Sequence, residues 1–533
     1  MILSTSKDLR ESGDGQRSLA VALAVVLLNV FISETLPLMI HDLREQMGLT
    51  TEQVNLIRFL PATAGLLIAP SAGNITDRWG VKRVLTLSLA TICFGSLVIA
   101  ISNTINVLII GLLLTGLGLT ASMINGYTLL TKSATNSRQL GLFIASWGIT
   151  SNIGYLLFPP LGSWIVVHSL RGWSSISTLW IICHLTLLIV NQLQLKDGIQ
   201  AEPGQQEQLI SATAQHKLDW AWLGTAGIIF SLTTAIPVID VLKPVLTGPL
   251  IAIDAVAIAL LCNLISRSRQ AKRDLLFMRK PAIVLALCAV AATNLVDWNY
   301  FSERFISFRY LMDLSQTSIW LTPANLSGLL GVSLFGTISL RLGLFRTTAV
   351  GLVVWLLTPL VFLFARTSTP VWIIAGSIAI FTLVEALVYT GLQSSATQMA
   401  PKSSLGTFGA VMTGLNTITD SIGGALSSDV IINTYQESLS AHLSPLPMSD
   451  SLTAKILKWM AGGNYHLALE SDYKIPAFVV KNYIQKGTPA RIDSYVDCLH
   501  ALGYLCTAMV VITGLLYGGS LVAKARTIRQ HNR

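Results

Sequence analysis

Long apolar runs follow one another along almost the whole chain, at about 18–40, 53–72, 84–102, 105–130, 139–167, 174–193, 219–238, 245–265, 281–302, 315–340, 346–365, 371–396, 404–427 and 500–522. Crossing the hydrocarbon core of a bilayer takes roughly 20 mostly apolar residues. Inside it, each backbone polar group must be satisfied by the chain itself, which helices do. The runs therefore predict an all-α polytopic membrane protein with about 14 transmembrane helices. The charged fraction agrees: 12% of the 533 residues, against about a quarter in soluble domains. Residues 1–17 are polar, and the run that follows is too long for the apolar core of a cleavable signal, so it is expected to stay as the first helix. Five of the six cysteines (Cys93, Cys183, Cys262, Cys288, Cys506) fall in apolar runs without metal-ligand spacing and read as small buried hydrophobes, with Cys498 alone facing outward.

The net charge of +9 would suit a nucleic-acid partner, but its distribution explains it otherwise. With the N-terminus placed inside, the cytoplasmic segments hold 23 Lys and Arg residues and the short outer loops hold 6. This is the positive-inside asymmetry. Both termini are expected in the cytoplasm of a plasma membrane of the bacterial inner-membrane type, with the lipid bilayer as partner and no nucleic acid.

Three connections are longer than the rest. Residues 194–218 are polar and Gln-rich, as a linker is. Residues 266–280 form a basic loop suited to anionic lipid headgroups. Residues 428–499 form a large outer loop, apolar-patterned near Leu452–Met460 and Ile475–Ile484, where a small helical cap or a plain spacer fits.

A charged stretch between the second and third runs organises the rest: Gly73-Asn-Ile-Thr-Asp77-Arg78-Trp-Gly80-Val-Lys82-Arg83. A degenerate copy stands 263 positions later, with Gly336, Arg341, Gly343 and Arg346 in place and Leu340 where the aspartate would be. Gly73 permits close helix approach, and Gly80 supplies the positive φ of a tight turn. Asp77 suits a helix N-terminus, where the backbone dipole favours an anion. Arg78, Lys82 and Arg83 hold the loop inside and can form an ion-pair clasp that exists in one conformation only, biasing an equilibrium between two. The repeat divides the chain into an N-terminal tail (1–17), a six-helix bundle (18–193), the linker (194–218), two inserted helices (219–265), the basic loop (266–280), a second six-helix bundle carrying the outer loop (281–522), and a tail (523–533). Two related halves around a midplane cavity is the layout of a rocking transporter.

Gly73-x-x-x-Asp77-Arg78-x-Gly80-x-Lys82-Arg83 resembles the signature between helices 2 and 3 of the major facilitator superfamily. Fourteen helices with a large loop before the last resemble that superfamily's drug:proton antiporter branch. The resemblance implies a transporter, not an enzyme, that needs no cofactor and is driven by an ion gradient, with protons expected. Helix 5 keeps Gly154, Pro159 and Gly162 of the branch's moving-interface pattern, while Phe158 and Ser163 replace glycines. In helix 4, Leu112 stands where the branch has an arginine linked to proton coupling, and Thr115 stands for a glutamine. In helix 1 the expected acidic position falls at Leu28-Asn29, and Glu34 lies one to two turns further out.

Ionisable groups at membrane depth are costly and mark function. Glu34, Arg58, Glu385 and Asp420 are the proton-coupling or substrate-charge candidates, with a Glu34–Arg58 pair as one option. Asp254 and His184 read as structural, and Asp297 as interfacial. Tyr and Trp near helix ends read as interface anchors. The expected function is proton-coupled export of amphipathic or cationic small molecules of the multidrug-resistance type, with an accessory export protein as a further partner. The alternative is a dedicated exporter or facilitator of one metabolite, peptide or siderophore. A membrane enzyme or a sensor on the same scaffold is a third class. No phosphate-binding glycine loop, metal-ligand spacing or nucleophile triad supports an enzyme.

Overall fold

A computed structural model describes residues 6–49, 51–169, 172–195, 218–242, 244–296, 306, 314–444 and 488–531. Among these, fourteen helices of at least 12 residues run in succession. They are α1 (Ser6–Met47), α2 (Thr51–Trp79), α3 (Val81–Ala100), α4 (Ile105–Ser133), α5 (Ser137–His168), α6 (Trp173–Gln194), α7 (Trp220–Leu242), α8 (Pro244–Arg267), α9 (Pro281–Ala292), α10 (Leu314–Leu342), α11 (Leu344–Leu357), α12 (Val371–Met399), α13 (Leu405–Leu443) and α14 (Pro489–His531). Eleven segments are long and apolar enough to cross a membrane. Most of the Gln-rich linker and the middle of the outer loop (445–487), like Asp297, lie outside the described residues.

Between helices in lipid, association rests on close packing, so small residues sit at the contacts. In the first half, a Cβ on Gly116 of α4 would strike the Pro61 carbonyl of α2, and one on Gly118 would come 2.8 Å from the Ser88 carbonyl of α3. In the second half, Gly331 of α10 lies against the Leu383 carbonyl of α12, and Gly391 of α12 against Thr348 of α11. Trp180 of α6 donates to Thr35 of α1 at 2.9 Å. His184, fully buried, is held by the Trp180 carbonyl at 2.9 Å.

Helix α5 does not end at Pro159-Pro160 but continues to His168. Each proline withholds a donor from the carbonyl four residues earlier. Those carbonyls belong to Tyr155 and Leu156. Small residues of α5 also seat α1: a Cβ on Gly154 would lie 2.7 Å from Val30, and one on Gly162 would lie 2.8 Å from both Thr35 and Leu38. Phe158 packs its ring on Phe31 at 4.7 Å.

The inserted pair sits beside the seam between the halves. Gly227 of α7 lies against the Leu67 carbonyl of α2, while Phe230 of α7 packs on Gly414 of α13 and Ser421 of α13 donates to the Thr234 carbonyl at 2.9 Å. Asp254 of α8 is buried and accepts from Thr233 of α7 at 2.8 Å, so it joins the two inserted helices.

Part of the outer loop is helix. With 39 and 43 residues, α13 and α14 are about 58 and 64 Å long, beyond the roughly 30 Å of hydrocarbon. Their extensions pair: Ser438 donates to Asp497 at 2.6 Å, His442 lies 3.6 Å from Asp493, Arg491 donates to Tyr435 at 3.2 Å, and Tyr435 and Tyr495 pack at 5.1 Å. This packing buries Cys498, whose thiol lies 3.4 Å from the Ile431 carbonyl. The sequence-based expectation for the cysteines holds for Cys506, which is buried, and fails for Cys498, Cys262 and Cys288. Cys498 is inside, because the polar stretch around it is helix packed on helix, whereas Cys262 and Cys288 are exposed on the outer faces of apolar helices.

Candidate functional site: an inter-half clasp

At the end of the bundle where the basic loops gather, Asp77 occupies the last turn of α2. Its carboxylate accepts from the backbone N–H groups of Gly406 (2.9 Å) and Thr407 (2.8 Å) and from the Thr407 hydroxyl (3.0 Å). These are first-turn groups of α13, in the other half. The N-cap of α13, Ser404, supplies no side-chain cap of its own, so Asp77 fills that role across the seam, where the helix dipole favours an anion. Lys132 of α4 adds an ion pair to Asp77 at 3.3 Å. The approach needs two glycines: a Cβ on Gly406 would lie 2.5 Å from the Gly73 carbonyl, and one on Gly73 would lie 2.6 Å from Ala410. The sequence placed Asp77 at a helix N-terminus; the structure gives the helix, one 329 residues away.

The motif's cations divide. Arg78 pairs with Asp274 at 3.1 Å, and Asn74 donates to the same oxygen at 2.7 Å. Arg83 is exposed and Lys82 half-buried at the start of α3. Gly80 has φ +87°, with open space where a Cβ would project, so its requirement is conformational.

The copy after α10 has the same turn and another contact. Gly343 has φ +81°. Gly336 lies against Ala145 of α5 (3.2 Å to an added Cβ), and Gly141 of α5 against Leu344 of α11 (2.5 Å). Leu340, Arg341 and Arg346 are exposed. Helix α5 caps itself: Asn136 accepts from the Gln139 N–H at 2.9 Å, and Gln139 accepts from the Thr135 N–H at 2.9 Å.

Further into the bundle, Tyr127 of α4 and Thr397 of α12 share a buried hydrogen bond of 2.7 Å between the halves. The α5–α10 contact continues through Gly148–Val332 to Asn152–Gly328, and one turn later Tyr155 is 52% exposed. Glu34 of α1 and Asp420 of α13, from opposite halves, both act electrostatically on Tyr155. Tyr389 of α12 feels Tyr127, Tyr155 and Asp420 and accepts from Asn416 of α13 at 3.1 Å. Asp420, at the middle of α13, is itself exposed. Away from the clasp, Tyr155, Tyr389 and Asp420 thus form a polar, partly exposed group of side chains drawn from both halves.

Of the four ionisable candidates, Glu34 and Asp420 both lie within electrostatic reach of Tyr155. Glu385 stands one turn from Tyr389 and acts on Cys506 of α14. Arg58 is exposed on α2, and no ion pair joins it to Glu34 among the described residues. In the first half, Asn29 is tied to Ser122 of α4 at 3.1 Å, and Leu112 is buried. The sequence reading missed Tyr127, Tyr155 and Tyr389 by treating tyrosines as interface anchors. The mid-helix positions of Tyr155 and Tyr389 were the available signal, since a hydroxyl at membrane depth needs a polar partner; Tyr127, within two turns of the end of α4, gave none.

Two six-helix membrane-spanning halves meeting at a charged clasp fit a membrane transporter. The sequence matches the Major Facilitator Superfamily over residues 19–428, and the chain belongs to that family. It is 27% identical over 222 residues to the tetracycline resistance protein, class H, of Pasteurella multocida, covering 40% of this chain and 55% of that protein. It is 26% identical over 178 residues to the methylenomycin A resistance protein of Bacillus subtilis (strain 168), covering 32% of this chain and 37% of that one. The chain thus spans about half or less of the length of these curated relatives. In fold it resembles the human organic anion transporter MFSD10 (TM-score 0.58, 12% identity, 94% of this chain and 99% of that one). It also resembles a bacterial homologue of the iron transporter ferroportin in an outward-facing state with soaked iron (TM-score 0.55, 12% identity, 95% and 98%).

Proposed function

We propose that this transporter is a secondary active exporter that moves cationic, amphipathic small molecules out of the cell in exchange for protons. The observation that carries the reading is that two carboxylates from opposite halves, Glu34 and Asp420, lie within electrostatic reach of the same tyrosine, Tyr155. A carboxylate attracts a cation when ionised and releases it when protonated. Because a proton and a cation compete for one site, the two fluxes can be coupled. Tyrosine rings beside the carboxylates add apolar surface and a face for the cation. The drug-resistance names of the curated relatives support export of a toxic compound. The Asp77 clasp acts as the cytoplasmic gate, Gly154, Pro159 and Gly162 as the sliding surface against α1, and the Lys and Arg asymmetry favours a bacterial inner membrane with both termini inside.

The test is uptake of a fluorescent organic cation into everted vesicles energised with a pH gradient. Uptake should collapse with a protonophore and fall at least tenfold in Glu34→Gln and in Asp420→Asn. Uptake indifferent to the gradient would remove the proton from the scheme. The second reading, a dedicated exporter or facilitator of one compound, draws on Asn29 and Leu112, which leave the first half without the proton-linked groups of the antiporter branch. A panel of cationic dyes separates the two, since a dedicated exporter would move few or none.

A further inference from the structure

The segment between the inserted helices and the second half has two faces. Arg267, Arg269, Lys272, Arg273, Arg279 and Lys280 are all exposed, and no ion pair engages them among the described residues. Beside them, Leu276 is 54% and Trp79 51% exposed. A row of cations interleaved with apolar side chains at helix ends fits the headgroup zone of an anionic leaflet. Six exposed cations spread along residues 267–280 suit a lipid surface better than a single soluble anion.

The inner face of the same segment holds both halves of the bundle. Asp274, the one acidic residue in 266–280, binds Arg78 and Asn74 of α2 at 3.1 and 2.7 Å. Three residues later, fully buried Phe277 packs edge-on against Phe408 of α13 at 5.8 Å. Ser268 anchors the start of the segment on Asp219 at 2.5 Å. Phe408 follows directly on Gly406 and Thr407, whose N–H groups Asp77 caps. The strap therefore grips each side of the clasp within one helical turn of it, and parting of the halves here must break one grip or the other.

We propose that residues 267–280 are a docking site for anionic phospholipid headgroups, and that lipid bound there holds the strap against both halves and favours the closed clasp. The inference rests on the gating role proposed for Asp77 but not on the substrate or on proton coupling. A ligand shifts such an equilibrium only through a difference in affinity for the two states, and the strap supplies it, because its two grips are compatible only with closure.

The experiment uses the full chain in nanodiscs of phosphatidylcholine alone or with phosphatidylglycerol, read by hydrogen exchange of the 404–410 peptide and by the lipid retained through purification. Exchange should be at least fivefold slower with phosphatidylglycerol. The four-charge variant R267Q/R269Q/K272Q/R273Q should lose both the slowing and the retained lipid. Asp274→Asn, which keeps every cation, should retain the lipid but lose the slowing. Equal exchange in the two lipids for the native chain, or an unchanged lipid response in the four-charge variant, would overturn the docking site. A full slowing in Asp274→Asn would overturn the coupling to the clasp. Millimolar inorganic phosphate added to phosphatidylcholine discs should not slow exchange; slowing would overturn the assignment to lipid.

Discussion

The loops after α2 and α10 are copies in sequence, but they hold the two halves together by different physics. Both turn on a glycine at positive φ, Gly80 and Gly343, and both bring a glycine of the preceding helix against the other half, Gly73 on Ala410 and Gly336 on Ala145. There the likeness ends. After α2, Asp77 completes a helix that has no side-chain cap of its own, so α13 is finished only when the halves are together. After α10, Leu340 is exposed and α5 needs no help, being capped by Asn136. One contact is a directional, charged clasp; the other is a packed surface on which α5 and α10 can slide. Closure at this end is thus concentrated in one carboxylate, which gives the gate a place where it can be switched.

Removing that carboxylate should have the largest effect. Asp77→Asn keeps the size but loses the charge on three hydrogen bonds and one ion pair. Charge-assisted bonds are worth about 1.5–3 kcal/mol, roughly a ten- to hundredfold shift in an equilibrium. Spin labels on the exposed positions Ser137 and Ser403, in a cysteine-free background, should report a closed-to-open ratio lower by that factor. An unchanged distance distribution would mean that the clasp follows closure and does not drive it.

The shared turn should behave alike in both loops. Gly80 and Gly343 have φ/ψ of 87°/150° and 81°/157°, a region open essentially to glycine alone, and neither has a neighbour within 4 Å of an added Cβ. Gly80→Ala and Gly343→Ala should therefore each cost about 1–3 kcal/mol of backbone strain. Both should lower the melting temperature in detergent by similar amounts. A large gap between them would mean that the repeat is not shared at the level of the backbone.

Much of this was legible before any coordinates. The apolar runs specify the helices because a helix in lipid is a local structure that needs only its own residues, and the repeat of Gly73–Arg83 in Gly336–Arg346 marks corresponding corners. What could not be read is long-range. That Asp77 caps α13, or that Asp274 and Phe277 straddle the seam, depends on which helix ends meet in space, and no local pattern encodes it. The grouping of Tyr127, Tyr155 and Tyr389 was missed because they come from three helices, so their convergence has no sequence period. The hairpin of α13 and α14 was read as loop because polarity beyond the bilayer does not distinguish a solvated helix from a coil.

The smallest effect tests whether the second loop could have been built like the first. Asn136→Ala removes the cap of α5 and should cost about 1 kcal/mol, with the orphaned Gln139 N–H exchanging faster. Leu340→Asp places a carboxylate where the copy of Asp77 would stand. In the native background it should add almost nothing, because the N–H groups it would seek are already served by Asn136. In the Asn136→Ala background it should restore most of the lost protection, and it should do so only in the closed arrangement, making a second switchable clasp. If Leu340→Asp fails to rescue, the two corners differ in geometry as well as in residue, and the loss of the aspartate reflects a site that could not have used it. If it rescues, the difference between the two corners lies in the choice of cap alone: α5 carries its own, and α13 borrows one from the other half.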